Sequence, residues 1–236
     1  MILEEVLLHG LVSSGTLRVS DSPRHDLLPC NGVAALITAA PPGIRAFGAE
    51  AMADLALRHH AVLQAYCVYG TVLPMRFGAA FSSTEAVQQH VAQTSEQMQS
   101  AIRTLDNLKE YTIRLTVTGD PVQPQRAALS GRDFLARGRD QRDLRHKISE
   151  RRATFSRNLA DALHQIAAQL EPASASRPDR VFDVAVLLRQ DATSALATLA
   201  QRIGPEARVL GLDLRVTGPW PAYSFKLPDP ETCHGG

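Results

Sequence analysis

Residues 119–130, GDPVQPQRAALS, separate two stretches whose apolar residues recur with different periods. Ahead of them, YTIRLTVTG at 111–119 sets Ile113, Leu115 and Val117 against Thr112, Arg114 and Thr116, the two-residue alternation of a half-buried strand. Behind them, Leu144, Ile148, Phe155, Leu159, Leu163, Ile166 and Leu170 follow at helical intervals. That spacing predicts one long helix from about Arg132 to Leu170 with a narrow apolar seam. Pro121 and Pro124 fix φ and lack an amide hydrogen, so neither period continues through the break. A chain of 236 residues cut here gives two domains, each able to bury its own core. The expected division is 1–120, a linker at 121–130, and 131–236 with the long helix and an aromatic tail.

The first half opens with a strand at 3–12, and a second strand at 32–40 ends at Pro41-Pro42-Gly43. From 49 to 68, Met52, Leu55, Ala56, His59, Val62, Leu63 and Tyr66 recur as the face of a helix that stops near Gly70. TVLPMRF at 71–77 then reads as a short strand, with Pro74 suited to an edge. Ser82, Ser83 or Thr84 can cap the next helix, whose apolar stripe runs from Val87 through Val91, Met98 and Ile102 to Leu105. The second half adds strands at 180–189 and 207–218, with a helix capped by Asp191 and running to Ile203 between them. The order ββαβαβ, linker, αβαβ predicts an α+β fold rather than a doubly wound sheet.

Composition narrows function mainly by exclusion. With 44% hydrophobic and 21% charged residues the chain is globular, and a net charge of +1 exerts no global pull on nucleic acid or anionic lipid. Cys30, Cys67 and Cys233 are widely spaced, which predicts free thiols in a reducing compartment. Glu4 and Glu5 stand where a secretory signal carries positive charge, and no apolar run reaches membrane-spanning length. The expectation is therefore a cytoplasmic protein that does not enter the membrane. GxGxxG, the Walker loop, HExxH and GxSxG are all absent from the sequence. His59 and His60 are adjacent on a helix and point about 100° apart, so they do not chelate one metal from a single face. Cys67 reads as a small buried thiol, and Asp183 and Asp213 as strand carboxylates that bond locally. No enzyme, cofactor or metal is expected.

One stretch is locally basic. Between 131 and 157 nine Arg and Lys residues face four acidic ones, and pairs such as Asp140 with Arg137 or Asp143 with Lys147 offset part of that charge. Arg139, Arg142, Arg145 and Arg152 are the candidates for contact with an acidic or carboxylate-bearing protein. A nucleic-acid-binding regulator is the alternative, but it would need exposed aromatic residues for bases to stack on, and aromatics make up 5% of the chain.

Several stretches together resemble the gas vesicle GvpF/GvpL family: LRHHAVLQAYCVYGTVLPMRFGAAFSS at 57–83, YTIRLTV at 111–117, GRDFLARGRDQR at 131–142 and TGPWPAYSF at 217–225. The resemblance implies a non-enzymatic accessory or minor structural protein of gas vesicle formation. It further implies two α+β domains, the first ferredoxin-like, an association with gas vesicles, and no nucleic-acid partner. The implied partners are the hydrophobic shell protein and other gas vesicle accessory proteins. His59, His60, Pro74, Arg76 and Gly78 carry the signature. Trp220, Tyr223 and Phe225 join the arginines as candidate anchors, because Trp, Tyr and Arg dominate interface energetics. The competing reading of PWPAYSF is a clamp fastening the tail to the second domain. Arg76 lies in an apolar setting where a charge must be paired, so it reads as a lock between helix and sheet.

Overall fold

The computed structural model describes residues 5–20, 22–119, 131–172 and 177–225, with the backbone alone at Arg45 and at 131–137. Two compact units emerge, one of Met1–Glu110 with Pro219–Gly236 and one of Tyr111–Gly218.

In the first unit, strands β1 (Val6–Ser13), β2 (Asp26–Cys30), β3 (Val33–Ala39), β4 (Val72–Pro74) and β5 (Ala80–Phe81) form one sheet. Its order is β2-β3-β1-β4, with β5 also pairing β1. The β2–β3 hairpin turns on Asn31 and Gly32, whose φ values are 30° and 87°. An Asn-Gly pair suits such a turn because both positions need positive φ. Val6 through Val12 are buried without interruption, so β1 is covered on both faces. Helix α1 (Ala49–Tyr69) lays Val62, Leu63, Tyr66 and Cys67 against Val12, Ala34, Leu36 and Val72. Helices α2 (Thr84–Gln93) and α3 (Ser95–Thr104) pack near β2 and β1 respectively. The single helix expected from Ser82 to Leu105 is two, because the backbone leaves helical geometry at Thr94, with φ −113° and ψ 13°. Ser83 caps α2, its side chain accepting from Ala86 N at 3.3 Å.

The second unit takes most of β6 (Leu108–Val117), then α4 (Gly131–His164), β7 (Gln169–Pro172), β8 (Arg180–Arg189), α5 (Thr193–Val209) and β9 (Leu212–Trp220). The chain leaves the first unit at Glu110/Tyr111, inside β6, and returns at Gly218/Pro219, inside β9. Strand order β7-β8-β6-β9 around a β-α-β-β-α-β chain is the split βαβ arrangement of ferredoxin-like domains. Ile113, Leu115, Val186, Leu188 and Leu212 from the sheet meet Phe155, Leu159 and Leu163 of α4 and Leu196 and Leu199 of α5 in its core.

The mixed α+β composition matches the sequence reading, and the internal arrangement differs from it in three ways. The ferredoxin-like pattern expected of residues 1–120 is found in 111–218, since alternation at 111–117 marks a strand without saying which sheet receives it. The expected linker 121–130 lies outside the described residues, and the boundary falls within two strands. The long helix ends at His164, so Ile166 follows it and Leu170 sits in β7. Leu144, placed on its seam, is 47% exposed.

Candidate functional site

The register between β1 and β3 slips between Leu8 and Gly10, leaving His9 as an extra residue in a β-bulge. A bulge re-aims the side chain it carries. Here Nδ1 of His9 lies 3.0 Å from Nδ1 of His59 on α1, and Nε2 lies 2.9 Å from Oγ1 of Thr38 on β3. Gly10 lets α1 come this close, because a Cβ there would sit 2.5 Å from Leu63 Cδ2 and 2.7 Å from Leu73 O. His9 and His59 are both buried. Burial, with the neighbouring His59 and then His25, pushes the His9 imidazole down to about 4, and burial lowers His59 as well. Both rings are therefore neutral at pH 7, and one Nδ1 donates to the other. Phe77 closes the pocket edge-on to His59 at 5.6 Å. A third buried imidazole, His25, bonds the Tyr66 hydroxyl at 2.6 Å, and that hydroxyl also accepts from Val19 N at 3.4 Å.

The adjacent histidines of the signature thus serve two faces of α1. His59 faces the sheet, and His60 faces the segment 219–225. Trp220 and Tyr223 pack their rings 5.4 and 6.0 Å from His60, and the Tyr223 hydroxyl lies 3.2 Å from His60 Nδ1. Gln64 Nε2 donates to Pro219 O at 2.8 Å. Glu110 accepts from Ser224 N at 3.0 Å and from Ser224 Oγ at 2.8 Å. Phe225 is 5% exposed. The segment is a strap on the first unit, not the clamp onto the second domain that the sequence suggested. Phe225 is consequently a buried packing residue rather than a surface contact, a correction that no periodicity in PWPAYSF could supply.

The lock between helix and sheet is also made by another residue. Arg76 is exposed on a turn closed by Ala79 N to Arg76 O at 3.2 Å, with Gly78 at φ 83°. Among the described residues its side chain meets no hydrogen-bond or ion-pair partner. Lys109 makes the lock instead, its Nζ donating to Cys67 O and, at 2.6 Å, to Gly70 O at the end of α1. Pro74 pairs opposite Gly10 on the edge strand β4.

Beside this end of α1 opens a groove of about 630 Å³ lined by Val12, Thr16, Leu17, Arg18, Tyr66 and Tyr69. Leu17 and Tyr69, which line it, are 85% and 74% exposed. Neither Leu17 nor Tyr69 is marked as a site by the sequence; for Tyr69 the available signal was an apolar residue at the end of α1 outside its buried stripe.

In the second unit Arg139, Arg142 and Arg145 lie exposed on α4, with Arg142 Nε donating to Gly138 O at 3.1 Å. Arg152, grouped with them from sequence, is engaged within the fold: Nε donates to Leu210 O at 2.8 Å and Nη2 reaches Gly119 O and Gly211 O at 3.4 Å. It fastens α4 to the α5–β9 turn, which removes it from a contact surface. Asp183 accepts from Arg114 on β6 at 3.0 Å and from Arg180 at 2.6 Å, so it also ties two strands, whereas Asp213 accepts locally from Arg215 at 2.8 Å. Cys30 and Cys67 are buried free thiols. Among the described residues no group of three or more His, Cys, Asp or Glu could hold a metal, and no helix is long and apolar enough to cross a membrane.

The chain is similar to known proteins at low identity. The chain is 25% identical over 203 residues to gas vesicle protein L of Haloferax mediterranei, covering 75% of this chain and 62% of that protein. It is 28% identical over 191 residues to gas vesicle protein L2 of Halobacterium salinarum, covering 70% and 67%. Crystal structures of GvpF from Anabaena sp. PCC7120 and from Microcystis aeruginosa have a similar fold, each at 17% identity, with TM-scores of 0.65 and 0.61. They cover 95% and 94% of this chain and 94% and 98% of their own lengths. The profile of gas vesicle synthesis protein GvpL/GvpF matches residues 20–226, and the chain belongs to that family.

Proposed function

We propose that this protein is a non-enzymatic partner in gas vesicle assembly that binds the hydrophobic shell protein through its first unit, in association with gas vesicles and with other accessory proteins of that system. The observation that carries this reading is the groove beside α1, lined by the exposed Leu17 and Tyr69 together with Val12 and Tyr66. Isolated exposed apolar residues are ordinary, whereas several gathered at one concavity mark a binding surface. An assembling shell subunit has apolar surface to cover until it joins its neighbours, and a groove of this kind offers temporary cover. Arg139, Arg142 and Arg145 on α4 are proposed to meet acidic groups on a partner.

Co-expression with the shell protein followed by pull-down tests the reading. Capture is expected from the unsubstituted chain, with at least a tenfold loss for Leu17→Asp/Tyr69→Ala and unchanged thermal stability, since both side chains are exposed. Equal capture by the variant, or no capture by either chain at any salt concentration, would reject the groove as the shell-protein site.

A further inference from the structure

The strap 219–225 is held as a bound peptide is held. Its anchors are the rings of Trp220 and Tyr223 on His60, the buried Phe225, and the bonds of Pro219 O and Ser224 to Gln64 and Glu110. Pro219 and Trp220 end β9, beside β6 in the sheet, and beyond them the bonds to the seat run through side chains while Tyr223 N donates to Pro221 O at 2.7 Å within the strap. With the strap in place Glu110 is 4% exposed, and Ser224 supplies the donors that a carboxylate buried this way requires.

We propose that this seat accepts the strap of a second copy of the chain as well as its own, so that copies associate by exchanging residues 219–225. A second copy carries a segment already known to fit, because it is the same segment. The contacts are then identical in the closed and exchanged forms, and the two differ in the entropy of joining copies and in the path of the connecting backbone. That connection is Gly218, at φ 133°, a conformation that glycine adopts readily and other residues rarely do. Pro219 and Pro221 restrict the free strap, which lowers the ordering cost of binding in either form. The tether favours a copy's own strap in dilute solution, so exchange grows with concentration, as where many copies gather on one assembling particle.

Disulfide trapping on the full chain tests this. Cys233→Ser is introduced throughout, and Cys30 and Cys67 are buried. Glu110→Cys and Ser224→Cys are made in separate chains and also together. The double variant should close internally at every concentration. Mixed single variants should form a Glu110→Cys/Ser224→Cys disulfide dimer that increases with concentration and disappears when the Ser224→Cys chain also carries Phe225→Ala. Internal closure of the double variant with no mixed dimer at high concentration overturns the proposal, and failure of the double variant to close removes the seat itself. Sedimentation of the unsubstituted chain gives a check that does not depend on the cysteine variants. Association that strengthens with concentration and is lost in Phe225→Ala is expected, and a monomer throughout the range overturns the exchange. Shell-protein capture by Phe225→Ala distinguishes this result from the fate of the groove, which lies elsewhere on α1.

Discussion

At the scale of single residues, the first unit hides basic side chains that polar partners alone make tolerable. His9 sits in a bulge with Thr38 on one side and His59 on the other. Its folded pKa of about 4 lies below the ordinary 6.5, so between those values the unfolded chain binds a proton that the folded chain refuses. Stability is therefore full above pH 6.5 and declines as pH falls toward 4, by up to about 3 kcal/mol from this group. Melting temperatures recorded across that window should drop steeply for the unsubstituted chain and more gently for His9→Asn. Equal slopes would place the linkage elsewhere. Lys109 is the second case, with two backbone carbonyls for its ammonium. Lys109→Met should cost about 2–3 kcal/mol, because it leaves the carbonyls at the end of α1 unmatched in a buried place. Denaturant unfolding checks this, and Arg76→Ala, on an exposed turn, should change stability by less than about 0.5 kcal/mol.

At the scale of elements, α4 divides into a packed part and an open part. Phe155, Leu159 and Leu163 are in the core, whereas Leu144 is half exposed and the residues around it are polar. Phe155→Ala should cost about 3–5 kcal/mol and Arg152→Ala about 1–3 kcal/mol, while Arg142→Ala should be nearly neutral. Chemical denaturation followed by circular dichroism would rank the three, and a large loss for Arg142→Ala would contradict the division. The sequence made α1, β3, β6, β8 and α5 legible, because each has a clear period or an apolar run bounded by breakers. β2 escaped although Asn31-Gly32 announces its turn, since Pro29 and the short apolar run made a strand unconvincing. β7 escaped because Ile166 and Leu170 continue the helical spacing by coincidence. The ladder to β8, which that spacing cannot reveal, captures the segment instead. His59 was readable as an inward residue from its place in the stripe. Its partner was not, because the pairing depends on a bulge fifty residues away.

At the scale of the whole molecule, two distant signature motifs meet in one place. The His-His helix and GPWPAYSF are far apart in the chain, yet His60 and Gln64 on one hold Pro219, Trp220 and Tyr223 on the other. The resemblance to the family was legible from those motifs, but their meeting was not, because no local pattern says that a chain returns to its first unit after building a second. This layout bears on the order in which the protein is made. Residues 1–110 leave the ribosome first but cannot be strapped until 111–218 have been translated, a delay on the order of ten seconds at roughly 5–20 residues per second. Over that interval the nascent chain presents Glu110 and His60 without the segment that will cover them, while the second unit, contiguous in sequence, is free to complete itself first. An α1 that cannot yet be sealed is thus a normal stage in the synthesis of every copy, and on a crowded polysome it lies within reach of straps on neighbouring chains.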